Sequence, residues 1–150
     1  MKIYNLKNRL EFLQEVVILE HKEWASNPNE DLENRIKLKC EKVRNLLNQV
    51  DFCKLILVDN NNLIGFISIF PHDSDEFPEL TPWYATMYVK SEYRGKGYSR
   101  ILNDAILKEA KNRGYKELYL KTELNNYYEK FGAIFMENIN DKEKLMKFNL

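Results

Sequence analysis

Met87-Tyr88-Val89-Lys90-Ser91-Glu92-Tyr93-Arg94-Gly95-Lys96-Gly97-Tyr98-Ser99-Arg100 is the stretch on which the fold turns. It begins inside an apolar run, Trp83 to Lys90, that reads as a strand. A basic loop with two glycines follows. Tyr98, Ile101, Leu102, Ala105, Ile106 and Ala110 then recur at helical spacing until Gly114 ends the pattern. The first N–H groups of such a helix have no internal partners and carry the positive end of its dipole. Gly95 and Gly97 let an anion come close to the backbone, while Arg94, Lys96 and Arg100 add full charges. Two readings stay open on these residues: a pyrophosphate cradle, or a plain strand-to-helix turn in which glycine only tightens the chain. A P-loop is excluded, because the Gly-Lys-Ser/Thr ending is missing. The dinucleotide fingerprint fails too, because Arg100 stands where its third glycine belongs.

Outward from this stretch the period of the apolar residues assigns the rest. Glu117 to Thr122 reads as a strand, so Trp83 to Thr122 is a strand-helix-strand unit with a parallel crossover. Upstream, the runs Cys53–Val58 and Leu63–Phe70 flank Asp59-Asn60-Asn61-Asn62, which predicts a hairpin. Pro71 to Pro82 is a loop carrying Asp73, Asp75, Glu76 and Glu79. The first third reads as two helices. Leu6, Leu10, Leu13, Val17 and Trp24 form one stripe, and Asn27-Pro28 breaks it. Leu32, Ile36, Cys40, Val43, Leu47 and Val50 form the buried face of the second, with Asn29 as its N-cap. Asn125 to Phe131 reads as a short helix, and Ala133–Glu137 and Lys144–Asn149 as strands. The prediction is one α/β (α+β) domain over residues 1–150: a mixed, mostly antiparallel sheet flanked by helices.

Composition narrows the function. Lys plus Arg is 23 and Asp plus Glu is 23, so there is no global basic field for nucleic acid or an anionic membrane. Only the Arg94-Lys96-Arg100 patch is locally basic. Cys40, Cys53, His21 and His72 do not have the spacing of a zinc set, so no metal is expected. No apolar run approaches the roughly 20 residues of a membrane span. The first residues lack a signal peptide's apolar stretch, which makes a cytoplasmic location the expectation.

Two blocks carry a family resemblance. Arg94-Gly95-Lys96-Gly97-Tyr98-Ser99 resembles the Arg/Gln-x-x-Gly-x-Gly/Ala signature of the GCN5-related N-acetyltransferases, and Tyr88 to Tyr93 resembles that family's fourth-strand ending. Tyr127-Tyr128-Glu129-Lys130-Phe131-Gly132-Ala133 resembles its later Tyr-Glu-Lys-x-Gly-Phe block. The likeness runs over residues 58 to 137, with Ser99 and Ala133 as departures.

The resemblance implies acetyl-CoA as co-substrate, held in a splayed parallel pair. Its pyrophosphate would sit on the backbone from Gly95 through Lys96, Gly97, Tyr98 and Ser99 to Arg100, beside Arg94. Its pantetheine would pair with Met87, Tyr88 and Val89. A backbone N–H near Tyr88 or Val89 would face the developing oxyanion, and Tyr128 would protonate the leaving thiolate. Tyr127 would be structural. The acceptor would be a primary amine of a small molecule or peptide; a non-catalytic acyl-CoA-binding module on the same fold is the alternative. A homodimer is compatible with the sequence. The base is not legible: Lys121 stands where relatives place a carboxylate, leaving Glu123, Glu23, Glu79 and Tyr84 as candidates. The acidic loop either draws a cationic amine to the site or is a solvated turn. Trp24, Trp83 and Tyr84 either line the acceptor groove or pack the core. His21 is expected at the surface or half-buried.

Overall fold

A computed structural model describes residues 1–150. The chain opens with a strand that the apolar pattern hid, β1 (Lys2–Asn5). Two 3-10 turns, Leu6–Asn8 and Leu10–Phe12, lead into α1 (Leu13–Trp24). The continuous helix expected from Leu6 is interrupted at Arg9, at φ −140° and ψ 58°. Asn5 instead accepts a hydrogen bond from the Lys7 N–H and starts a turn. Leu6 and Phe12 are buried all the same, because short turns present residues three and four apart much as a helix does. The second helix, α2 (Leu32–Leu46), is preceded by Asp31 in the left-handed region, not by Asn29, and no side chain caps it. It stops early enough to leave Val50 90% exposed, contrary to its expected place in the buried face.

The hairpin is as predicted. β2 (Cys53–Asp59) and β3 (Asn62–Phe70) are antiparallel, and Asn60 and Asn61 take positive φ in the turn. β4 (Trp83–Val89) pairs antiparallel with β3. The crossover runs through α3 (Tyr98–Asn112) to β5 (Glu117–Thr122), parallel to β4. The segment expected as a short helix is a single 3-10 turn, Tyr128–Phe131. β6 (Ile134–Asn138) and β7 (Lys144–Asn149) complete a seven-stranded sheet in the order β1-β2-β3-β4-β5-β7-β6.

The sheet buries both faces, which is why β2 and β3 read as apolar runs without alternation. On one face Leu55, Ile67, Leu118, Leu120 and Phe148 pack with Leu102 and Ile106 of α3. On the other Ile56, Val58 and Phe66 pack with Val16, Val17, Ile36 and Val43 of α1 and α2. Gly65 is required where β3 meets β4: a Cβ there would lie 2.3 Å from the Tyr88 carbonyl oxygen.

The splay of β4 from β5 opens the sheet beside the Gly-rich loop. β4 and β5 pair only at Trp83 and Tyr119, where the Tyr119 N–H also donates to Pro82 O at 3.0 Å. Beyond that point the two parallel strands separate, and the backbone of Met87 to Val89 faces an opening instead of a neighbour.

Candidate functional site: a phosphate cradle beside an acceptor groove

The Gly-rich loop joins the end of β4 to the start of α3. Gly95 and Gly97 have φ of +77° and +85°, a conformation that L side chains rarely adopt. Gly97 occupies the N-cap position of α3 with no side chain to satisfy the helix, and the first turn holds no acidic residue. A Cβ at either glycine would meet no atom within 4 Å, so the space beside these glycines is open. An uncapped helix start with room above it fits a pyrophosphate. The three basic residues divide their tasks. Arg94 folds back, donating from Nε to Val89 O at 2.8 Å and lying over the Tyr88 ring. Arg100 donates to Lys130 O at 3.3 Å and lies over Phe131, tying α3 to the turn that carries Tyr128. Lys96 stands exposed at the loop.

The β4 strand carries a bulge. Ser68 pairs with Ala85 and Phe66 with Tyr88, so Thr86 and Met87 together oppose one residue of β3. Thr86 is β-branched yet has φ +53°, and its hydroxyl bonds that of Ser68 at 2.6 Å. After the bulge the strand resumes. The Lys90 N–H donates across to Ile64 O at 2.9 Å, so the N–H of Val89, one residue earlier, points the other way, into the opening beside β5. Tyr88 lies over Phe66 on the face covered by α1 and α2, its ring 5.3 Å away.

Alongside lies a groove of about 910 Å³, walled by α1, α2, β2, the acidic loop, the β4 bulge and the end of β5. Tyr128 lines it, and Met87 reaches it from the strand expected to hold pantetheine. Burial, with Tyr127 adding to it, pushes the Tyr128 phenol up to about 12, so it is a proton donor at neutral pH. Its ring meets Tyr84 edge-on at 5.7 Å and Tyr127 at 4.8 Å. Tyr127 packs in turn on Phe131, as expected of a structural neighbour.

Of the candidate bases, Glu23 and Glu123 line the groove and Glu79 does not. Tyr84 is unsuited to the role. Burial raises its pKa well above the usual range, and its hydroxyl donates to Asn103 Oδ1 at 2.8 Å. Lys121 lines the groove and donates to the backbone carbonyl of Asp73. Of the loop's four carboxylates only Asp73 reaches the groove; burial raises its pKa, with Lys121 opposing and Glu143 adding. Trp24 and Tyr84 line the groove, whereas Trp83 is buried and donates to Leu80 O.

Sequence reasoning missed two groups and misplaced a third. Lys54 is fully buried inside the β2 run and paired with Glu20 of α1. Asn103 is buried in α3 with its Nδ2 unpartnered. His21 is buried, not half-exposed, and bonds Pro28 O at 3.0 Å and Lys39 Nζ at 2.7 Å. The one available signal was a lysine within an otherwise apolar strand.

Fold and site together define a seven-stranded α/β domain with an open, glycine-lined helix start, an unpaired β4 edge and an adjoining groove. Residues 13–133 match the acetyltransferase (GNAT) family, and the chain belongs to that family. N-alpha-acetyltransferase 30 of Schizosaccharomyces pombe is 34% identical over 82 residues, covering 51% of this chain and 54% of that protein. The aligned region thus spans about half the length of that curated relative. The PaiA N-acetyltransferase of Thermoplasma acidophilum, solved with coenzyme A, superposes with a TM-score of 0.68 at 24% identity over 100% of both chains. The aminoglycoside 6'-N-acetyltransferase of Enterococcus faecium superposes with a TM-score of 0.70 at 20% identity, over 99% of this chain and 97% of that one. These two likenesses are of fold.

Proposed function

We propose that the protein transfers an acetyl group directly from acetyl-CoA to the primary amine of a small molecule or peptide. The observation that supports this reading is the open β4 edge, which leads from the groove lined by Met87 and Tyr128 to the uncapped, glycine-lined α3 N-terminus. The N–H groups from Gly95 to Arg100 suit the pyrophosphate, with Lys96 free to add charge. The Met87 to Val89 edge suits pantetheine, whose amides can pair with a strand that lacks a neighbour.

The chemistry asks little of the protein beyond position and electrostatics. A neutral amine attacks the thioester carbonyl carbon. Negative charge grows on the carbonyl oxygen, and the Val89 N–H is oriented to meet it; one such donor is typically worth about 10²–10³ in rate. As the carbon–sulfur bond breaks, Tyr128 gives its proton to the sulfur. The acceptor amine loses its surplus proton to the carboxylate-lined wall of the groove. Asp73 and Glu123 stand there, and burial raises the pKa of Asp73.

The test is release of free thiol from acetyl-CoA across a panel of primary amines. Amine-dependent release with a mass increase of one acetyl group on the amine is the expected result. Tight acetyl-CoA binding with no amine-dependent release across small amines and peptides would make the domain a binding module instead.

A further inference from the structure

We propose, resting on the activity above, that the groove is built for an acceptor carrying an anionic group as well as its amine, with the amine at the Tyr128 end and the anion on Lys54. Lys54 is 1% exposed, yet its side chain lines the groove. An ammonium has three N–H donors. Glu20 accepts one. The ammonium otherwise lies over the rings of Phe66 and Phe70, 5.4 and 5.8 Å from their centroids, and no other oxygen of the protein bonds it. A buried ammonium with one oxygen partner is incompletely satisfied, and an oxygen brought by a ligand would complete it.

The charges around the groove are sorted along its length. Toward α1, α2 and β2 it is lined by Lys39, Lys42 and Lys54 against Glu20 and Glu23. Toward β5 and Tyr128 it is lined by Asp73, Glu123 and Glu143 against Lys121. An ammonium is favoured at the second end and an oxyanion at the first.

The sheet sets the separation. Lys54 pairs with Ser68, and Ser68 with Ala85 next to the bulge, so the two ends are two inter-strand spacings apart, about 10 Å between backbones. That suits an amine and a carboxylate separated by several methylenes, as in an ω-amino acid or the side-chain amine of a diamino acid. It does not suit an α-amine beside its own carboxylate.

The probes are 6-aminohexanoate and 6-aminohexanamide, which share the amine and the chain and differ in the charge of the far end. Wild type is expected to favour the acid by roughly tenfold in kcat/KM, as for a hydrogen bond to a charged group. Lys54→Met should bring that ratio to about one by raising KM for the acid, with kinetics on the amide changed less than about threefold, since the amide does not use the charge. Lys42→Gln, at an exposed helical position that survives substitution, should lower the ratio by about twofold through the weaker field. A wild-type ratio of one or less, or a ratio unchanged in both variants, would overturn the inference. Turnover of other primary amines with neither probe accepted would also overturn it and leave the acetyl transfer standing. Absence of turnover with every amine would overturn both.

Discussion

The proposed cradle and the proposed acceptor groove are built in opposite ways. The cradle is one continuous stretch, Met87 to Arg100, and its working groups are backbone N–H donors presented by glycines and a helix start. The groove draws side chains from α1, α2, β2, β3, β4, β5 and several of the segments that connect them. A backbone site depends on local conformation and tolerates changes in most side chains around it. A side-chain site depends on what the tertiary fold brings together and changes with single substitutions. Under the proposed function, the cradle would mark the family and the groove would mark the substrate.

Substitutions in the two regions should separate cleanly. Gly97→Glu should have the largest effect, abolishing acetyl-CoA binding: the new carboxylate would enter the open space over the helix start and repel phosphate, at a φ that also strains any side chain. Thermal denaturation reads this directly, because a ligand selective for the folded state raises the melting temperature and the variant should show no rise. A rise equal to wild type would break the assignment of the cradle.

Tyr128→Phe comes next. It should lower kcat by about 10²-fold while leaving acetyl-CoA affinity near wild type, since a proton is needed only as the sulfur leaves. The pH profile sharpens this. A phenol with its pKa raised to about 12 stays protonated where a free tyrosine would ionise, so the loss of its proton should not depress kcat below about pH 11. A fall in kcat centred near pH 10 that disappears in Tyr128→Phe would show the phenol ionising normally.

Asp73→Asn should be smaller still. A cationic acceptor's KM should rise about two- to threefold at low salt, and the difference should shrink at physiological ionic strength, where screening acts over roughly 8 Å. Asp75 and Glu76 lie outside the groove lining, and their neutralisation should leave KM unchanged. Steady-state kinetics at two salt concentrations checks both. Tyr127→Phe should be nearly silent in kcat and KM, because only its ring packs on Tyr128 and Phe131.

The same contrast explains what was legible in the sequence. The hairpin at Asn60, the crossover through α3 and the strand positions follow from local period and turn residues, and the structure has them. β1 was hidden because four residues are too short to display a period, and its stability comes from pairing with β2. The apolar spacing from Leu6 to Leu13 reported the burial of Leu6 and Leu13, but neither the exposure of Leu10 nor the break at Arg9. In the site, Arg94 and Arg100 were legible as basic residues, but not their use as ties to Val89 O and Lys130 O. Lys54 and Glu20 are 34 positions apart, and only the packing of α1 on β2 makes them a pair. Sorting of charge along a groove is a tertiary property, so no local pattern announces it.

The most direct measurement of the central claim is a crystal structure of the protein with coenzyme A. Phosphate oxygens are expected within hydrogen-bond distance of the N–H groups between Gly95 and Arg100, with the pantetheine arm along Met87 to Val89 and the sulfur within reach of the Tyr128 hydroxyl. A pyrophosphate bound away from the α3 N-terminus, or a sulfur remote from Tyr128 and the groove, would contradict it.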